Sequence, residues 1–342
     1  MAQSAEAERL DEQVNSLFEA EQYAQAIPLA EQELAILEKA LGPNGADIPH
    51  ALNNLAGLYE AVDRYADAEP LIKRALAIDE KAFGPDRSYV ALDVTALARL
   101  YDNEARYADA EPLYKRALAI DEKVYQPDVG SDLIQLADLY RSVGRYADAE
   151  PLYKRALAIG EKEFGPNHPN VGAAPNDLAL LYYEQDRYAD AEPLYKRALA
   201  IGEKALGASD MRLTSGLINL AELYGDEGRY ADAESLYKRA LAIREKALGP
   251  DNGDVAEPLH GLAELYREEG RYADAEPLAE RTLAIWEKAH GPDHPFVAAA
   301  LNSLAELYRD QGRYADAEPL YKRALAIQEK ALEPEILMSR RL

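Results

Sequence analysis

The chain has 342 residues, a formal net charge of −24 at pH 7, 48% hydrophobic residues and no cysteine. The negative charge disfavours nucleic acids and anionic membranes as partners, and the lack of cysteine excludes disulfides and thiolate metal sites. No apolar run is long enough to cross a bilayer, so we expect no membrane insertion. The N-terminal residues slightly favour a cytoplasmic location, and a processed periplasmic or secreted form fits them too.

A tyrosine-containing motif recurs eight times along the chain. It is clearest at residues 106–120, RYADAEPLYKRALAI, and its copies lie 42 residues apart except for one step of 39. Eight copies at a fixed period indicate a stacked repeat array. The first tyrosines of the copies, called the landmark tyrosines below, are Tyr23, Tyr65, Tyr107, Tyr146, Tyr188, Tyr230, Tyr272 and Tyr314.

Each copy is preceded by a second helical pattern, as the second repeat illustrates. Leu52, Leu55 and Tyr59 lie three and four residues apart and predict one apolar helix face, which belongs to helix A. After a short turn the motif itself forms helix B, which ends at Gly84-Pro85. The sequence therefore predicts an all-α fold of eight helix-turn-helix repeats and a short tail, with approximate bounds 6–42, 48–84, 90–126, 129–165, 171–207, 213–249, 255–291, 297–333 and 334–342.

Both ends and two internal repeats depart from this pattern. The first helix A is dense in acidic and amide residues, which suits an exposed end cap. The last helix B is as apolar as the internal copies, so either the tail around residues 336–338 folds back over it or this end meets another surface, such as a second copy. A three-residue deletion predicts a late start of the fourth helix A, near Ser131. Pro175 replaces a core leucine, and we expect the fifth helix A to begin at or near it, with a local stacking flaw.

The alternation of LxxLAxLY with YADAExLYxxAL resembles the tetratricopeptide repeat. The 42-residue period and the linkers GPNHP and GPDHP are similar to its kinesin-light-chain-type variant, which is widespread in bacterial proteins. The match covers nearly the whole chain as a single array. The resemblance implies a right-handed superhelical solenoid whose concave groove is lined by the A helices and binds peptide segments of partner proteins.

No catalytic pattern is visible in the sequence. The five histidines are scattered, and phosphate-loop, zinc-protease and serine-nucleophile motifs are lacking, so we expect no enzyme activity, cofactor or metal. The acid pairs Asp79-Glu80 and Asp121-Glu122 recur at one place in the repeat, which favours a solvated surface. Trp286 occupies a place that other copies mostly fill with Asp, Gly, Arg or Gln, so it is either an exposed binding residue or part of a buried patch.

Variation between the copies is concentrated in helix A, at places that the resemblance puts in the groove. Six such places, 15, 12, 11, 8, 5 and 4 residues before each landmark tyrosine, hold sixteen acidic and four fixed basic residues. Complementary charge predicts a basic or mixed polar–apolar ligand. Asparagine can hold a peptide backbone through its donor and acceptor, or pair with a neighbouring helix instead. The predicted peptide-binding groove residues are Asn53, Asn54, Arg99, Asp138, Asn176, Asp177, Asn219, Glu222, His260, Glu264, Asn302 and Glu306.

The sequence thus favours a non-catalytic protein–protein interaction scaffold that binds partner segments in an acidic concave groove. Two alternatives stay open. The first is that the chain is the recognition or sensor array of a larger multidomain protein. The second is that it is a structural protein that stacks end to end through its last helix. Neutral drift on a solvated surface would also explain the variable places in helix A.

Overall fold

The computed structural model describes residues 2–124 and 129–339, and for residues 2–5 and 331–339 the backbone alone. Over these residues it contains sixteen α-helices and no strand, so the predicted all-α repeat fold is confirmed. The A helices are α1 (Ala2–Glu19), α3 (Ile48–Glu60), α5 (Ser88–Asn103), α7 (Val129–Ser142), α9 (Ala173–Tyr183), α11 (Thr214–Asp226), α13 (Ala256–Glu268) and α15 (Pro295–Asp310). The B helices are α2 (Tyr23–Leu41), α4 (Tyr65–Phe83), α6 (Tyr107–Val124), α8 (Tyr146–Phe164), α10 (Tyr188–Leu206), α12 (Tyr230–Leu248), α14 (Tyr272–His290) and α16 (Tyr314–Ser339). Short 3₁₀ turns precede three A helices, at Pro169–Val171, Met211–Leu213 and Gly253–Val255.

Contacts divide the chain into two compact units, residues 1–162 and 163–342. Helices α1–α7 lie in the first unit and α9–α16 in the second. Within each of these two sets, every helix packs against the next one along the chain. That the eight repeats form one array stays a prediction. None of the helices in the described part of the chain combines the length and the apolar character that a membrane span requires.

Small residues allow the two helices of a repeat to approach closely. In the second repeat Ala56 and Ala68 are both buried, and bulkier side chains interdigitate around such a contact. Ile48 of α3 belongs to one apolar cluster with Ile78 of α4, and Leu37 of the preceding helix B packs against the same cluster. The core is therefore built in layers, in which a helix B, the next helix A and the next helix B share apolar side chains.

The constant part of the motif joins consecutive repeats through a polar clamp. Tyr101 of α5 donates a 2.8 Å hydrogen bond to Glu69 of the preceding helix B, and Arg106 contacts the same carboxylate at 3.2 Å. The Arg106 guanidinium also lies 3.9 Å from the centre of the Tyr101 ring. The same contacts recur in three further joints, formed by Glu111, Tyr140 and Arg145, by Glu192, Tyr224 and Arg229, and by Glu234, Tyr266 and Arg271. The motif is constant because it forms the joint between repeats.

The irregular repeats and the C-terminal end differ slightly from the predictions. Helix α7 begins at Val129 rather than near Ser131, and α9 begins at Ala173, two residues before Pro175. Proline is tolerated there because the first turn of a helix has few committed backbone donors. Helix α16 continues to Ser339, beyond the predicted repeat end at 333. The folding of residues 336–338 back over α16 is therefore not the conformation found.

Candidate peptide-binding face

The A helices bury one side and leave the other accessible. In α3, Leu52 and Leu55 are buried, whereas Asn53 and Asn54 are half-buried. The places 12, 11, 8 and 5 residues before a landmark tyrosine follow one stripe of the helix. We call these places, over all A helices, the A-helix face. All twelve predicted groove residues lie on this face and are half-buried or exposed.

In the first unit the two predicted groove asparagines already have partners. Asn53 donates a 2.5 Å hydrogen bond to Asp93 of α5, and Asn54 lies 3.2 Å from the ring nitrogen of His50, one turn earlier. Asn53 therefore has the alternative role of pairing with a neighbouring helix. This bond uses one N–H of the amide, and the amide oxygen of Asn53 is buried without a hydrogen-bond partner.

The charged residues of the face in the first unit also have local partners. Arg99 Nε lies 3.5 Å from a carboxylate oxygen of Glu60. Asp138 accepts a 2.5 Å hydrogen bond from the hydroxyl of Tyr153 on α8. Burial raises the pKa of Asp138, and this hydrogen bond opposes the rise. Both charged residues predicted for the groove of this unit thus have a local polar partner.

In the second unit, one arginine compensates the predicted groove acids of the last two repeats. Arg267 lies 2.8 Å from Glu264, 2.9 Å from Asp310 and 3.5 Å from Glu306. Arg309 adds a second contact to Asp310, at 2.9 Å. Glu264 and Glu306 therefore already have an internal cation, which lowers their attraction for a basic ligand.

The amides of the second unit form a looser contact. Asn219 of α11 donates to the side-chain oxygen of Asn176 on α9 over 3.4 Å, which is long for such a bond. Asp177, next to Asn176, lines a cavity between α9, α10 and α11. Asn302 is half-buried on α15. The structure thus brings Asn176, Asp177 and Asn219 together and places Asn302 elsewhere along the face.

Glu222 differs from Glu264 and Glu306, the predicted groove acids that share Arg267. Desolvation, with the neighbouring carboxylates of Glu257 and Asp226, raises the pKa of Glu222 to about 7, although the side chain is exposed. Asp226 accepts a 2.7 Å hydrogen bond from Tyr183, and Glu257 pairs with Arg244 at 2.6 Å. Within the described residues, no lysine or arginine forms an ion pair with Glu222 or Asp226. We call Glu222 and Asp226 the open acids.

Sequence reasoning missed the role of Tyr183 beside the open acids. Tyr183 lies five residues before its landmark tyrosine, on the A-helix face of α9. Most other copies carry a charged residue at this place, so an aromatic residue there breaks the pattern. This exception to the charged pattern could have pointed to Tyr183, but a count of charges does not register an uncharged residue.

The prediction that Asp79 and Asp121 lie on a solvated surface is wrong. They are 7% and 5% exposed, because this side of helix B faces the next helix A. Asp79 and Asp93 of α5 form a buried carboxyl pair, and burial raises the pKa of both groups. Two neighbouring carboxyl groups out of water favour a state in which they share one proton. Burial raises the pKa of Asp93 to about 6. Asp121 and the buried Asp132 occupy the corresponding places one repeat later.

The neighbouring acids of those pairs take part in ion pairs between repeats. Glu80 lies 2.5 Å from Arg116 of the next helix B, and Glu122 lies 2.6 Å from Arg155. Both glutamates are partly exposed, so each pair contributes at most about 1 kcal/mol. Their recurrence reflects the joint between repeats and not free surface.

Trp286 is buried, so its interpretation as an exposed binding residue is wrong and the buried patch is correct. It is 8% exposed, and its ring centre lies 5.3 Å from that of Phe296 and 5.5 Å from that of His260. Burial lowers the pKa of His260. His260, a predicted groove residue, is thus in contact with the core on one side of its ring.

Successive helix pairs that share layered cores and polar clamps define a helical-hairpin repeat protein. The tetratricopeptide repeat family model matches residues 5–81, 47–123, 132–204, 212–288 and 254–330. The chain belongs to the tetratricopeptide repeat family, and the resemblance seen in the sequence is confirmed.

Several solved structures are similar to this chain. A kinesin light chain-type protein of Podospora anserina, with nearly identical TPR-like repeats, is 27% identical over 61% of this chain and 99% of its own, with a TM-score of 0.52. The STAND protein PH0952 of Pyrococcus horikoshii, which has a tetratricopeptide repeat sensor, is 18% identical over 91% of this chain and 45% of its own, with a TM-score of 0.64. The apo quorum sensor NprR of B. thuringiensis is 13% identical over 92% and 85%, with a TM-score of 0.66. The last two show the fold alone. A comparison with curated protein sequences gives no match.

Proposed function

We propose that this protein is a non-catalytic interaction scaffold that binds a basic or mixed polar–apolar segment of a partner protein along its A-helix face. Within each compact unit, the clamps at the joints hold successive A helices, and thus their part of the face, in a fixed arrangement. Selectivity then depends on the side chains that differ between the A helices.

The open acids of the second unit carry this proposal. Glu222 and Asp226 lie one turn apart on α11, whereas Glu264 and Glu306 share Arg267. A raised pKa at Glu222 means that its negative charge is poorly stabilised in the free protein. A lysine or arginine side chain of a partner would supply the missing cation, and Tyr183 next to it offers an aromatic edge or face.

A sensor or recognition array in a larger protein is the second candidate. It is supported by the likeness in fold to the STAND protein PH0952, in which the matched part is 45% of the chain. Such an array would use the same face, so the binding experiment below applies to both. End-to-end stacking would instead make the molecular mass rise with concentration, which light scattering measures.

The test is a peptide-array screen with the wild-type chain and a Glu222→Gln, Asp226→Asn double variant. The matched control is Asp251→Asn together with Asp293→Asn, two exposed linker residues whose loss changes the net charge equally. We expect peptides rich in lysine or arginine to bind at least about tenfold more weakly to the double variant and unchanged to the control. Equal binding of basic peptides to all three proteins would refute the role of the open acids.

A further inference from the structure

The joints between repeats contain one place whose side chain is not constant. It lies on helix B, 14 residues after the landmark tyrosine. It faces a place on the next helix A, 14 residues before the next tyrosine, as the buried carboxyl pair of Asp79 and Asp93 illustrates. We call these two places the seam pair. The joint between the fifth and sixth repeats has glycine on both sides, Gly202 and Gly216. Other seam pairs within the two units are Leu37 and Ala51, Asp79 and Asp93, Asp121 and Asp132, Arg244 and Pro258, and Trp286 and Ala300.

A cavity of about 450 Å³ lies at the glycine seam pair. Leucines pack directly over the two glycines. A Cβ atom at Gly202 would lie 2.5 Å from Leu213, and one at Gly216 would lie 3.1 Å from Leu199. Leu199 and Leu213 therefore form an apolar wall that larger seam residues would displace. Further lining residues are Asn176, Ala205 and Ser215.

The cavity reaches the start of the fifth helix A. Pro169 of the preceding 3₁₀ turn, together with Gly172 and Ala173, lines it. The cavity lies where the sequence predicted a local stacking flaw. Its volume falls within the range of about 300–1,000 Å³ that is typical of ligand sites. An apolar side chain that enters the cavity exchanges contact with water for contact with the apolar wall, and this transfer is favourable.

One face of α11 connects the cavity to the open acids. Ser215, Asn219, Glu222 and Asp226 are spaced by four, three and four residues, so they share one side of the helix. Ser215, at the rim of the cavity, and Glu222 are about 10 Å apart along the helix axis, at a rise of about 1.5 Å per residue. An extended peptide covers this distance in about three residues.

The amides between these two points suit a peptide backbone. Asn176 lines the cavity, and its oxygen accepts the 3.4 Å hydrogen bond from Asn219. A bond of this length is weak. Both amides can therefore exchange it for hydrogen bonds to a backbone N–H and C=O without a large loss.

We propose that this cavity anchors one apolar side chain, of leucine or phenylalanine size, from an extended partner segment that carries a lysine or arginine three residues away. The basic side chain pairs with Glu222 and Asp226, and the backbone between the two contacts Asn176 and Asn219. This inference rests on the proposed function and names the anchor of the same face. The glycine seam pair distinguishes this joint from the other seam pairs named above, each of which has at least one larger side chain.

The test uses fluorescein-labelled decapeptides of serine and asparagine that contain one leucine and one lysine. The two residues are placed three apart in either order, next to each other, or six apart, and a further peptide has serine in place of leucine. Affinity for the full chain is measured by fluorescence anisotropy. We expect the three-residue spacing, in at least one order, to bind at least about tenfold more tightly than the other peptides, the size expected from burying one leucine side chain.

A cavity-filling variant and a matched control complete the design. Ala205→Phe introduces a ring from an exposed rim residue of α10. Ala82→Phe makes the same change at the corresponding exposed place of α4, where Asp79 occupies the seam. Ala205→Phe should abolish the leucine advantage, and Ala82→Phe should keep it. Ser215→Phe serves as a second filling variant if Ala205→Phe alters the circular dichroism of the helices.

The outcomes separate this inference from the proposed function. An equal affinity for the leucine and serine peptides, or a leucine advantage that survives both filling variants, overturns the anchor. Binding that is lost in Glu222→Gln but unaffected by the filling variants overturns the anchor alone. If none of these peptides binds the wild-type chain, both proposals fail.

Discussion

The buried carboxyl pair of Asp79 and Asp93 leads to a prediction that reverses the usual effect of a core substitution. Asparagine at position 93 keeps the shape of aspartate and needs no shared proton. Its oxygen can still accept the 2.5 Å hydrogen bond from Asn53, and its NH₂ group can donate to Asp79. We therefore expect Asp93→Asn to raise the free energy of unfolding around α4 and α5 at neutral pH.

The size of the gain follows from the pKa of Asp93. Burial raises it from 3.8 to about 6, and the nearby carboxylates of Asp79 and Glu80 add to the rise. A carboxyl group whose pKa is higher in the folded than in the unfolded state stabilises the fold most below its unfolded pKa. That stability is lost as the pH rises through the folded pKa. A shift of about two pKa units corresponds to about 3 kcal/mol, lost between about pH 4 and pH 6. Asp93→Asn should escape this loss and be about 2–3 kcal/mol more stable at pH 7.

Hydrogen–deuterium exchange of peptides from α4 and α5 measures the effect locally. Protection is compared near pH 4.5, 6 and 7.5, after correction for the intrinsic pH dependence of amide exchange. The wild-type protection should fall over this range, and that of Asp93→Asn should not. Asp86→Asn, at an exposed linker residue, is the charge-matched control and should change stability by less than about 0.5 kcal/mol. A loss of protection in Asp93→Asn at neutral pH would refute the shared proton.

The remaining predictions concern the open acids, the turns and the clamps. Affinity for a lysine-containing peptide should rise up to about tenfold between about pH 6 and pH 8, because binding lowers the pKa of Glu222 and releases its proton. In anisotropy titrations, the affinity of Glu222→Gln for this peptide should not change with pH. Ala105 has a φ of 56°, in the left-handed region that favours glycine, so Ala105→Gly should raise the free energy of unfolding by about 0.5–1 kcal/mol. Gly144 has a φ of 74°, so Gly144→Ala should lower it by about 1 kcal/mol. Urea unfolding followed by circular dichroism tests both, and equal stabilities would contradict the strain. Glu192→Gln should cost about 1–2 kcal/mol, because it removes a clamp carboxylate whose pKa is held at about 2 by hydrogen bonds from Lys196 and Arg229. The fluorescence of Trp286, in the same unit, reports this loss, and an unchanged midpoint would contradict it.

The helical hairpins could be predicted from the sequence because apolar residues recur with the helical period in every copy. Helix starts were less accurate. The fifth helix A was expected to begin at or near Pro175, and it begins two residues earlier, at Ala173, because a proline fits its first turn. At the C-terminal end, residues 336–338 were expected either to fold back over α16 or to leave its end for another surface. The structure extends α16 to Ser339, so they do not fold back, and contact with another surface stays a prediction. Periodicity identifies a helix well and its ends poorly.

The chemistry of the A-helix face was less predictable than its position. Glu222, Glu264 and Glu306 all lie eight residues before a landmark tyrosine, so the sequence does not distinguish them. The difference lies in the neighbours, because Arg267 reaches two of these acids and no described cation pairs with the third. Whether an acid is compensated depends on distances between side chains of successive A helices. A charge count over the whole face cannot supply that information.

The residue 14 places after the landmark tyrosine varies between the B helices, and this variation was interpreted as surface variation. The burial of Asp79 shows that the place instead lies between helices. The same place holds Trp286, which packs with Phe296, and Arg244, which donates to Thr214 at 3.0 Å and to the carbonyl of Asp254 at 2.6 Å. Side chains so different in size and charge fit at this place because the residues around each seam differ as well. The clamps keep the geometry of the joints constant, so a seam can change without disturbing the stacking of the next repeat. Differences between repeats therefore occur at two places. On the A-helix face we propose that they decide what binds, and in the seams we expect them to set the pH dependence and open volume of a single joint.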